Sequence, residues 1–500
     1  MRRKTRILSL LTALACAAAM FTACGDNGGS TGEPTGSAGD SNEVVTLKWW
    51  HMGNAPKNGD AVIEALNEKS ARDIGVKVDF IWATGDDAKV KVALSTGADD
   101  DITYTASWFA SYTTCAQKGE FLDITDQVDS TIPDLKAFIP EYVWEGAKIG
   151  GRLYAVPIYK DAAAAIYWYG NRDYMFDQAG AEAEFNAAGS SMASLTPLVK
   201  KLTEYRDAGN PFPHDLPAAY NVNHVGPIPY TTGYENILRD LHLVIQKGDD
   251  SHKVMLDYTA PGVLEDLKTI HEWNHSGYLN QDAAQQVDEY EFEVIRSGQG
   301  FEGADKAVWG LNKDYEVVSK LREGASATTS SVTGSMLALF TNAKHPTEAL
   351  KYIQYMNLDE EYRNMLGYGI QDTNWKDNGD GTISSLNSDW EPPLYAQATF
   401  FTLKPASPAP STMYSDMKKQ MDQPEYVSDL LGFNCDITPI KNEVAACTSV
   451  FQKYESSIQT GSVKDLDEAL AQLQKELDQV GFQKVLTECQ RQIDEFIAAK

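Results

Sequence analysis

The sequence predicts an α/β fold, because strand-like and helical segments alternate near its start. Residues 44–50, 76–82 and 102–105 are rich in the β-branched and aromatic residues that strands favour. Residues 86–95 and a shorter stretch before the second strand have helical spacing instead. A β-α-β-α-β order implies right-handed crossovers and a parallel sheet. The length of 500 residues allows two or three compact units.

Tryptophan stands at or just after the end of each of these three predicted strands. The ends carry Trp50 with His51, then Trp82, then Ser107 with Trp108. In open parallel sheets, ligands gather beyond the carboxyl ends of the strands. Sugar rings have apolar C–H faces and polar rims, which suit an amphipathic aromatic wall. These rings therefore predict a carbohydrate site. The alternative is that they pack beneath neighbouring loops.

Residues 149–175 predict a passage of the chain between two halves of the fold. Gly150 and Gly151 are typical of a tight turn, and extended segments follow at 152–159 and 162–169. The side chains expected to face a cleft here are Tyr159, Lys160, Asp161 and Trp168. A well-packed pair of strands is the alternative for most of the aromatic rings.

The rest of the chain is predicted to be more helical. A strand is expected at residues 335–340, and Pro346 then opens a helix at a position where no hydrogen bond is lost. Further amphipathic helices are expected at residues 195–205, 236–245, 262–273, 464–480 and 485–497.

The N-terminus is typical of a secreted protein. Basic residues precede an apolar run, residues 7–20, that is too short for a stable membrane anchor, so residues 1–23 are predicted to be a signal peptide. The run ends in Phe-Thr-Ala-Cys, which resembles the lipobox of bacterial lipoproteins, in which the cysteine, here Cys24, receives a lipid. Residues 24–43 are rich in Gly, Ser and Thr and predict a flexible linker. Cleavage and secretion without lipid is the alternative.

The composition argues against two classes of partner or location. The formal net charge is -28, whereas binding to nucleic acid requires a basic surface, so no nucleic-acid partner is expected. No run after the signal peptide is long and apolar enough to predict a transmembrane helix.

Two motifs resemble sites of chemistry, and we expect neither to be one. Residues 271–275 match H-E-x-x-H, the helical zinc site of metalloproteases, but Ser276 and Gly277 end the helix at once. No metal and no cofactor is therefore expected. Residues 298–303 match G-x-G-x-x-G, yet no helix of adequate length follows, so we interpret them as a loop beside the cleft that contributes Glu302.

The cysteines after Cys24 leave their pairing open. Four residues, Cys115, Cys435, Cys447 and Cys489, allow three sets of two disulfides. Two of them lie on apolar helix faces, so buried free thiols are an equally good interpretation.

Three segments resemble the extracellular solute-binding lipoproteins of bacterial ABC importers, mainly the branch that serves carbohydrate uptake. They are GGRLYAVP with GNRDYM within 150–175, YTTCAQKGEFLDIT at 112–125 and NAKHPTEALKYIQYM at 342–356. From Trp390 onward, the chain resembles the C-terminal domain of unknown function in the LipO-like branch of this family.

The resemblance implies a two-lobed periplasmic-binding-protein-like fold of type II. Each lobe would be a mostly parallel sheet flanked by helices, with an added helical or α+β C-terminal region. The implied N-terminal lobe is 44–160 with about 300–345, and the C-terminal lobe is 161–299 with about 346–389. The region 390–500 would pack on both lobes.

The function implied is that of a monomeric receptor, held at the membrane by lipid on Cys24, that delivers an oligosaccharide to the permease of an ABC importer. The tryptophans would stack on sugar rings, and the polar groups would bind hydroxyls. The expected ligand-binding residues are Trp50, His51, Trp82, Ser107, Trp108, Tyr159, Lys160, Asp161, Trp168 and Glu302. The alternatives are a surface enzyme, either a zinc metalloprotease or a glycan hydrolase, and a surface adhesin or sensor.

Overall fold

A computed structural model describes residues 44–84, 87–226, 232–311 and 313–500. The predicted signal peptide, Cys24 and the linker lie outside the described residues. The strands are β1 (Val45–Met52), β2 (Val76–Ala83), β3 (Ile102–Thr105), β4 (Ala155–Pro157), β5 (Ala164–Asn171), β6 (Tyr234–Leu238), β7 (Leu243–Gln246), β8 (Met255–Leu256), β9 (Ile295–Gly300), β10 (Val317–Ala327), β11 (Met336–Leu339), β12 (Trp375–Asp377), β13 (Ile383–Ser385) and β14 (Tyr426–Val427).

The α-helices are α1 (Asp60–Ile74), α2 (Ala88–Ser95), α3 (Tyr112–Gln117), α4 (Thr125–Thr131), α5 (Pro133–Phe138), α6 (Glu141–Gly146), α7 (Glu182–Ala187), α8 (Met192–Asp207), α9 (Pro261–His275), α10 (Thr329–Val332), α11 (Pro346–Leu358), α12 (Glu360–Tyr368), α13 (Met413–Asp422), α14 (Lys441–Gln459), α15 (Leu466–Gln479) and α16 (Phe482–Ala498). Within the described ranges, no helix has the length and apolarity needed to cross a membrane.

The first sheet has the strand order β2-β1-β3-β11-β4. Strand β1 is parallel to both β2 and β3, while β11 is antiparallel to β3 and to β4. Helix α1 leads from β1 to β2 and ends at Gly75, whose φ of 69° is the left-handed conformation that glycine adopts most easily. The parallel β-α-β-α-β arrangement predicted from the sequence is therefore confirmed.

The first hydrophobic core lies on this sheet and includes Trp49, Trp144 and Tyr352. Helices α11 and α12 supply part of it. The sequence assigned residues 346–389 to the other lobe, whereas residues 346–368 pack here, against α1, α4 and β1. The domain boundaries as a whole stay a prediction.

The second sheet has the order β14-β10-β5-β9 and is mostly antiparallel. Strand β5 is antiparallel to β9 and to β10, and only β14 lies parallel to its neighbour β10. The expectation of a mostly parallel sheet in each lobe is therefore wrong for this one. Helices α7, α8 and α9 lie between β5 and β9 in sequence. They pack into the second hydrophobic core and do not act as crossovers between parallel strands.

A small sheet of β6, β7 and β8 replaces the helix predicted at residues 236–245. Apolar residues in this segment recur at helical intervals, which explains the prediction. The consecutive residues Leu243, Val244 and Ile245 are nevertheless all buried, as in a fully covered strand.

The chain passes directly between the first and second sheets twice. Residues 158–163 connect β4 to β5, and α10 with its flanking residues connects β10 to β11. The side chain of Ser331 in α10 donates to the carbonyl of Ala162 at 2.7 Å, which ties the two passages together.

The last helices belong to the second core. That core includes Trp168 of β5, Leu195 of α8 and Ile270 of α9, together with Phe451 of α14 and Cys489 of α16. Helices α14, α15 and α16 are thus a structural part of the half that contains the second sheet, whereas Trp390, Ala396 and Met421 of the same predicted region lie in the first core.

Candidate functional site

A cavity of about 390 Å³ lies where the two passages join the sheets. The first-sheet half, together with the passages, contributes Ser107, Trp108, Lys160, Asp161, Thr328, Ser330, Ser331, Gly334, Ser335 and Tyr395. The second-sheet half contributes Ile166, Tyr234, Glu235, Asn236, Arg239, Lys247, Gln299, Glu323, Gly324 and Ser326. Because its walls come from both halves, a molecule bound here would contact both.

One wall of this cavity is aromatic. Trp108 is 52% exposed and Tyr395 is 36% exposed, although both are large rings, and their centroids are 6.3 Å apart. The indole N–H of Trp108 donates to the carbonyl oxygen of Gly334 at 2.9 Å, and the backbone N–H of Ser107 donates to the carbonyl of Thr333, also at 2.9 Å. The loop that follows β3 is therefore held against the second passage, with an aromatic face left open.

The opposite wall carries charged groups that are already paired. Lys247 donates to Glu323 at 2.7 Å and to the hydroxyl of Ser326 at 3.1 Å. Lys160, whose side chain is almost fully buried, donates to Asp161 in the adjoining passage. Paired groups of this kind present fixed donors and acceptors, which suits the recognition of hydroxyl groups rather than of a net charge.

Glu235 is the most perturbed acid of the cavity. It is 3% exposed, its Oε2 atom has no hydrogen-bond partner, and burial raises its pKa to about 7. A hydrogen bond from Ser428 and the charges of Lys247 and Lys500 lower the pKa, while Asp429 raises it. The carboxyl group is therefore protonated over much of the mildly acidic range.

This burial makes stability depend on pH. The pKa of Glu235 is higher in the folded chain than the ordinary 4.5 of the unfolded chain. Its favourable contribution is thus complete below about pH 4.5 and is lost as the pH rises through 7. Between pH 5 and pH 8, we expect wild type to lose about 2.5 kcal/mol of unfolding free energy relative to Glu235→Gln. Denaturation curves at several pH values measure this difference. If the unfolding free energies of the two proteins change with pH in the same way, the assignment is contradicted.

Four of the ten predicted ligand-binding residues line this cavity, and six do not. The four are Ser107, Trp108, Lys160 and Asp161.

The predicted tryptophan wall is wrong at the first two strand ends. Trp50 donates to Asp100 at 2.7 Å and packs against the first core, and His51 is fully buried, which lowers its pKa to about 4. Trp82 stacks on Phe80 and meets Trp390 edge to face. His51 is thus covered by the protein's own chain, and the two indole rings are partly buried against it, which is the alternative that the sequence left open.

Three further predicted residues lie elsewhere. Tyr159 is fully buried and donates to Asp422, and Trp168 is fully buried in the second core with its N–H on the carbonyl of Gly189 at 2.7 Å. Glu302 is exposed but does not line the cavity. The packed alternative therefore holds for Tyr159 and Trp168.

Sequence analysis missed the residues of the second wall, namely Glu235, Asn236, Arg239 and Lys247. They lie on or beside β6 and β7, the segment that was predicted to be a helix. Tyr395 was also missed, because nothing near it in sequence indicates that it lies beside Trp108.

Both histidines of the H-E-x-x-H segment contact backbone carbonyl groups. His271 Nε2 lies 3.1 Å from the carbonyl of Val463, and His275 Nδ1 lies 2.9 Å from the carbonyl of His271. Among the described residues, no group of three His, Cys, Asp or Glu side chains is placed to hold a metal ion.

The four cysteines are buried free thiols. Cys435 Sγ and Cys489 Sγ are 3.0 Å apart, so they are neighbours in the fold.

The architecture is that of the type II solute-binding proteins: two α/β halves joined by short passages, with a cavity at the junction. A family model described as "Domain of unknown function (DUF3502)" matches residues 429–498. This agrees with the resemblance found there from the sequence.

Comparison with known proteins gives relatives of the same kind. A protein of Streptococcus pneumoniae serotype 4, named "Carbohydrate ABC transporter substrate-binding protein", is 25% identical over 97% of this chain and 96% of its own length. The crystal structure of the N-glycan transport solute binding protein (NgtS) from Streptococcus pneumoniae matches with a TM-score of 0.80 and 22% identity, over 91% of this chain and 99% of that one. An extracellular solute-binding protein from Bifidobacterium longum subsp. infantis matches with a TM-score of 0.59 and 14% identity, over 91% and 99%.

Proposed function

We propose that this protein is the solute-binding receptor of an ABC importer and that it binds an oligosaccharide in the cavity between its two halves. The observation that carries the proposal is the open aromatic wall of Trp108 and Tyr395, which faces paired polar groups across the junction. An apolar face opposite fixed donors and acceptors matches the two surfaces of a sugar ring. The relatives support this reading, since one is named for carbohydrate transport and NgtS has been crystallised in complex with Man1GlcNAc and with Man5GlcNAc.

Binding would change the balance between open and closed arrangements of the halves. A ligand shifts such an equilibrium only through contacts that differ between the two states. Contacts to Trp108 on one side and to Lys247 or Glu323 on the other are of this kind, because they exist together only when the halves are close. The closed form would then be the form that the permease recognises.

The test is a thermal-shift screen of the purified protein against oligosaccharides, peptides and amino acids, followed by calorimetry on each hit. A ligand at 100 times its Kd stabilises the folded state by about 2.7 kcal/mol, which is readily measured. We expect stabilisation by oligosaccharides only, with the ligand recovered unchanged. Stabilisation by peptides alone, or turnover of the sugar, would contradict the proposal.

The same proposal places the receptor at the outer face of the cell membrane, anchored as a monomer through lipid on Cys24. One or two acyl chains and a flexible linker would keep the binding domain close to the permease. Substituting Cys24→Ala should move the protein from the membrane fraction to the medium without changing its affinity for the ligand. If the variant stays with the membrane as wild type does, the lipid anchor is wrong.

A further inference from the structure

A second cavity, of about 430 Å³, adjoins the first. Arg239 and Gln299 line both cavities, so the two cavities adjoin at these side chains. Both side chains are exposed, Arg239 directly after β6 and Gln299 on β9. Among the described residues, the second cavity, unlike the first, is lined only by the second-sheet half.

The second cavity has its own aromatic platform. The rings of Tyr169 and Trp309 are stacked with centroids 4.1 Å apart and planes within 5°. Trp309 is only partly buried, and both residues line the cavity. Stacked rings hold each other in place, so the exposed part of the indole is a preorganised surface for a flat apolar face.

The glycines of the G-x-G-x-x-G motif make this platform possible. A Cβ atom on Gly298 would lie 2.7 Å from the Tyr169 ring, and one on Gly300 would lie 2.6 Å from the Trp309 ring. Any other residue at either position would displace the rings. The first two glycines of the motif are thus accounted for by close approach of aromatic side chains to β9, whereas Gly303 has a φ of 92°, a conformation that glycine adopts most easily.

Polar groups surround the platform as they do in the first cavity. Arg296 is paired with Glu289 at 3.0 Å, and Arg239 presents its guanidinium group to both cavities. A guanidinium group has five N–H donors in a fixed plane and can serve neighbouring hydroxyls at the same time.

We propose that the second cavity is a second sugar subsite, with Trp309 as its stacking platform and with Arg239 and Gln299 contacting the ligand where it passes between the two cavities. The inference rests on the proposed function and deepens it: the ligand is an oligosaccharide long enough to lie across both cavities. Because the second subsite belongs to one half only, its contacts are equal in the open and closed arrangements. It therefore raises affinity without driving closure.

The experiment compares short and long ligands on matched variants. The probes are Man1GlcNAc and Man5GlcNAc first, then the shortest and longest member of any other oligosaccharide series that stabilises wild type. For Trp309→Ala, we expect the affinity for the long probe to fall about tenfold and that for the short probe to stay within about twofold. Because Arg239 lines both cavities, Arg239→Ala should weaken both probes, and the long probe more than the short one. The control is Val308→Ala, an exposed neighbour that lines neither cavity and should change neither affinity.

The outcomes separate the inference from the proposed function. Unchanged affinity of Trp309→Ala for the long probe, or an equal loss for both probes, would overturn the second subsite and leave the receptor proposal intact. Equal affinity of wild type for the short and long probes would also overturn the second subsite and leave the receptor proposal intact. If no oligosaccharide binds wild type, both proposals fall. Retained binding of the short probe shows that the variant is folded.

Discussion

Replacing Trp108 with alanine is expected to weaken ligand binding about 30-fold. The indole is 52% exposed and forms the open wall of the cavity between the two halves. A sugar ring stacked on it would cover roughly 80 Å² of apolar surface, which contributes about 2 kcal/mol, and 1.4 kcal/mol corresponds to a tenfold change in affinity. Isothermal titration calorimetry of wild type and Trp108→Ala with the same oligosaccharide measures the difference.

Two controls make this result specific. Trp108→Phe keeps a smaller aromatic face and loses the hydrogen bond to Gly334, so its affinity should lie between those of wild type and Trp108→Ala. Val92→Ala changes an equally exposed apolar side chain that does not line the cavity, and it should have no effect. If Trp108→Ala binds as tightly as wild type, the aromatic wall is not part of the site.

Replacing Arg363 with leucine is expected to destabilise the protein by about 3 kcal/mol or more. The guanidinium group is fully buried, and it donates to the carbonyl of Thr399 and to the side-chain oxygen of Gln397, both at 2.8 Å. Burial lowers its pKa to about 10, yet no acidic partner is needed because these oxygens take up its donors. Leucine would leave the acceptors buried without a donor, at a cost of about 1–3 kcal/mol each. Urea denaturation followed by tryptophan fluorescence measures the change.

The same substitution should also weaken ligand binding, because Arg363 holds the segment that carries Tyr395. Its guanidinium group donates to the carbonyl of Leu394 at 3.3 Å, next to the second ring of the aromatic wall. The matched control is Arg72→Leu on α1, an exposed arginine paired with Asp73, which should change stability by less than about 0.5 kcal/mol. If Arg363→Leu and Arg72→Leu change the free energy of unfolding by the same amount, the buried hydrogen bonds of Arg363 do not contribute to stability.

The first sheet could be predicted from sequence and the second could not, for a physical reason. Strands β1, β2 and β3 alternate with α1 and α2 within about 60 residues, so local periodicity reveals the arrangement. Strand β5 instead pairs with β9 and β10, which lie more than 120 residues later. Pairing over such a distance leaves no local signal of direction. The helix predicted at residues 236–245 is wrong for a different reason. The apolar spacing of this segment fits a helix, whereas in the fold the segment forms a hairpin.

The candidate site shows the same limit at single residues. The sequence treats Trp50, Trp82 and Trp108 alike, but Trp50 and Trp82 lie inside β1 and β2, whereas Trp108 follows the end of β3 by three residues. Asp100 satisfies the indole of Trp50, and Trp390, more than 300 residues away in sequence, covers Trp82. Only Trp108 has no such cover, and its neighbour Tyr395 leaves a face open. Exposure is thus decided by distant segments that close over two rings and not over the third.

The helices α14, α15 and α16 share one hydrophobic core with β5, α8 and α9. The contact between the two parts is close: a Cβ atom on Gly461 would lie 2.6 Å from the carbonyl oxygen of Ile270. The segment that the family model matches, residues 429–498, is therefore buried against the half that contains the second sheet. Removing this segment would uncover the apolar side chains of α9 that face it. Exchanging it for the equivalent segment of a relative would require matching changes on α9.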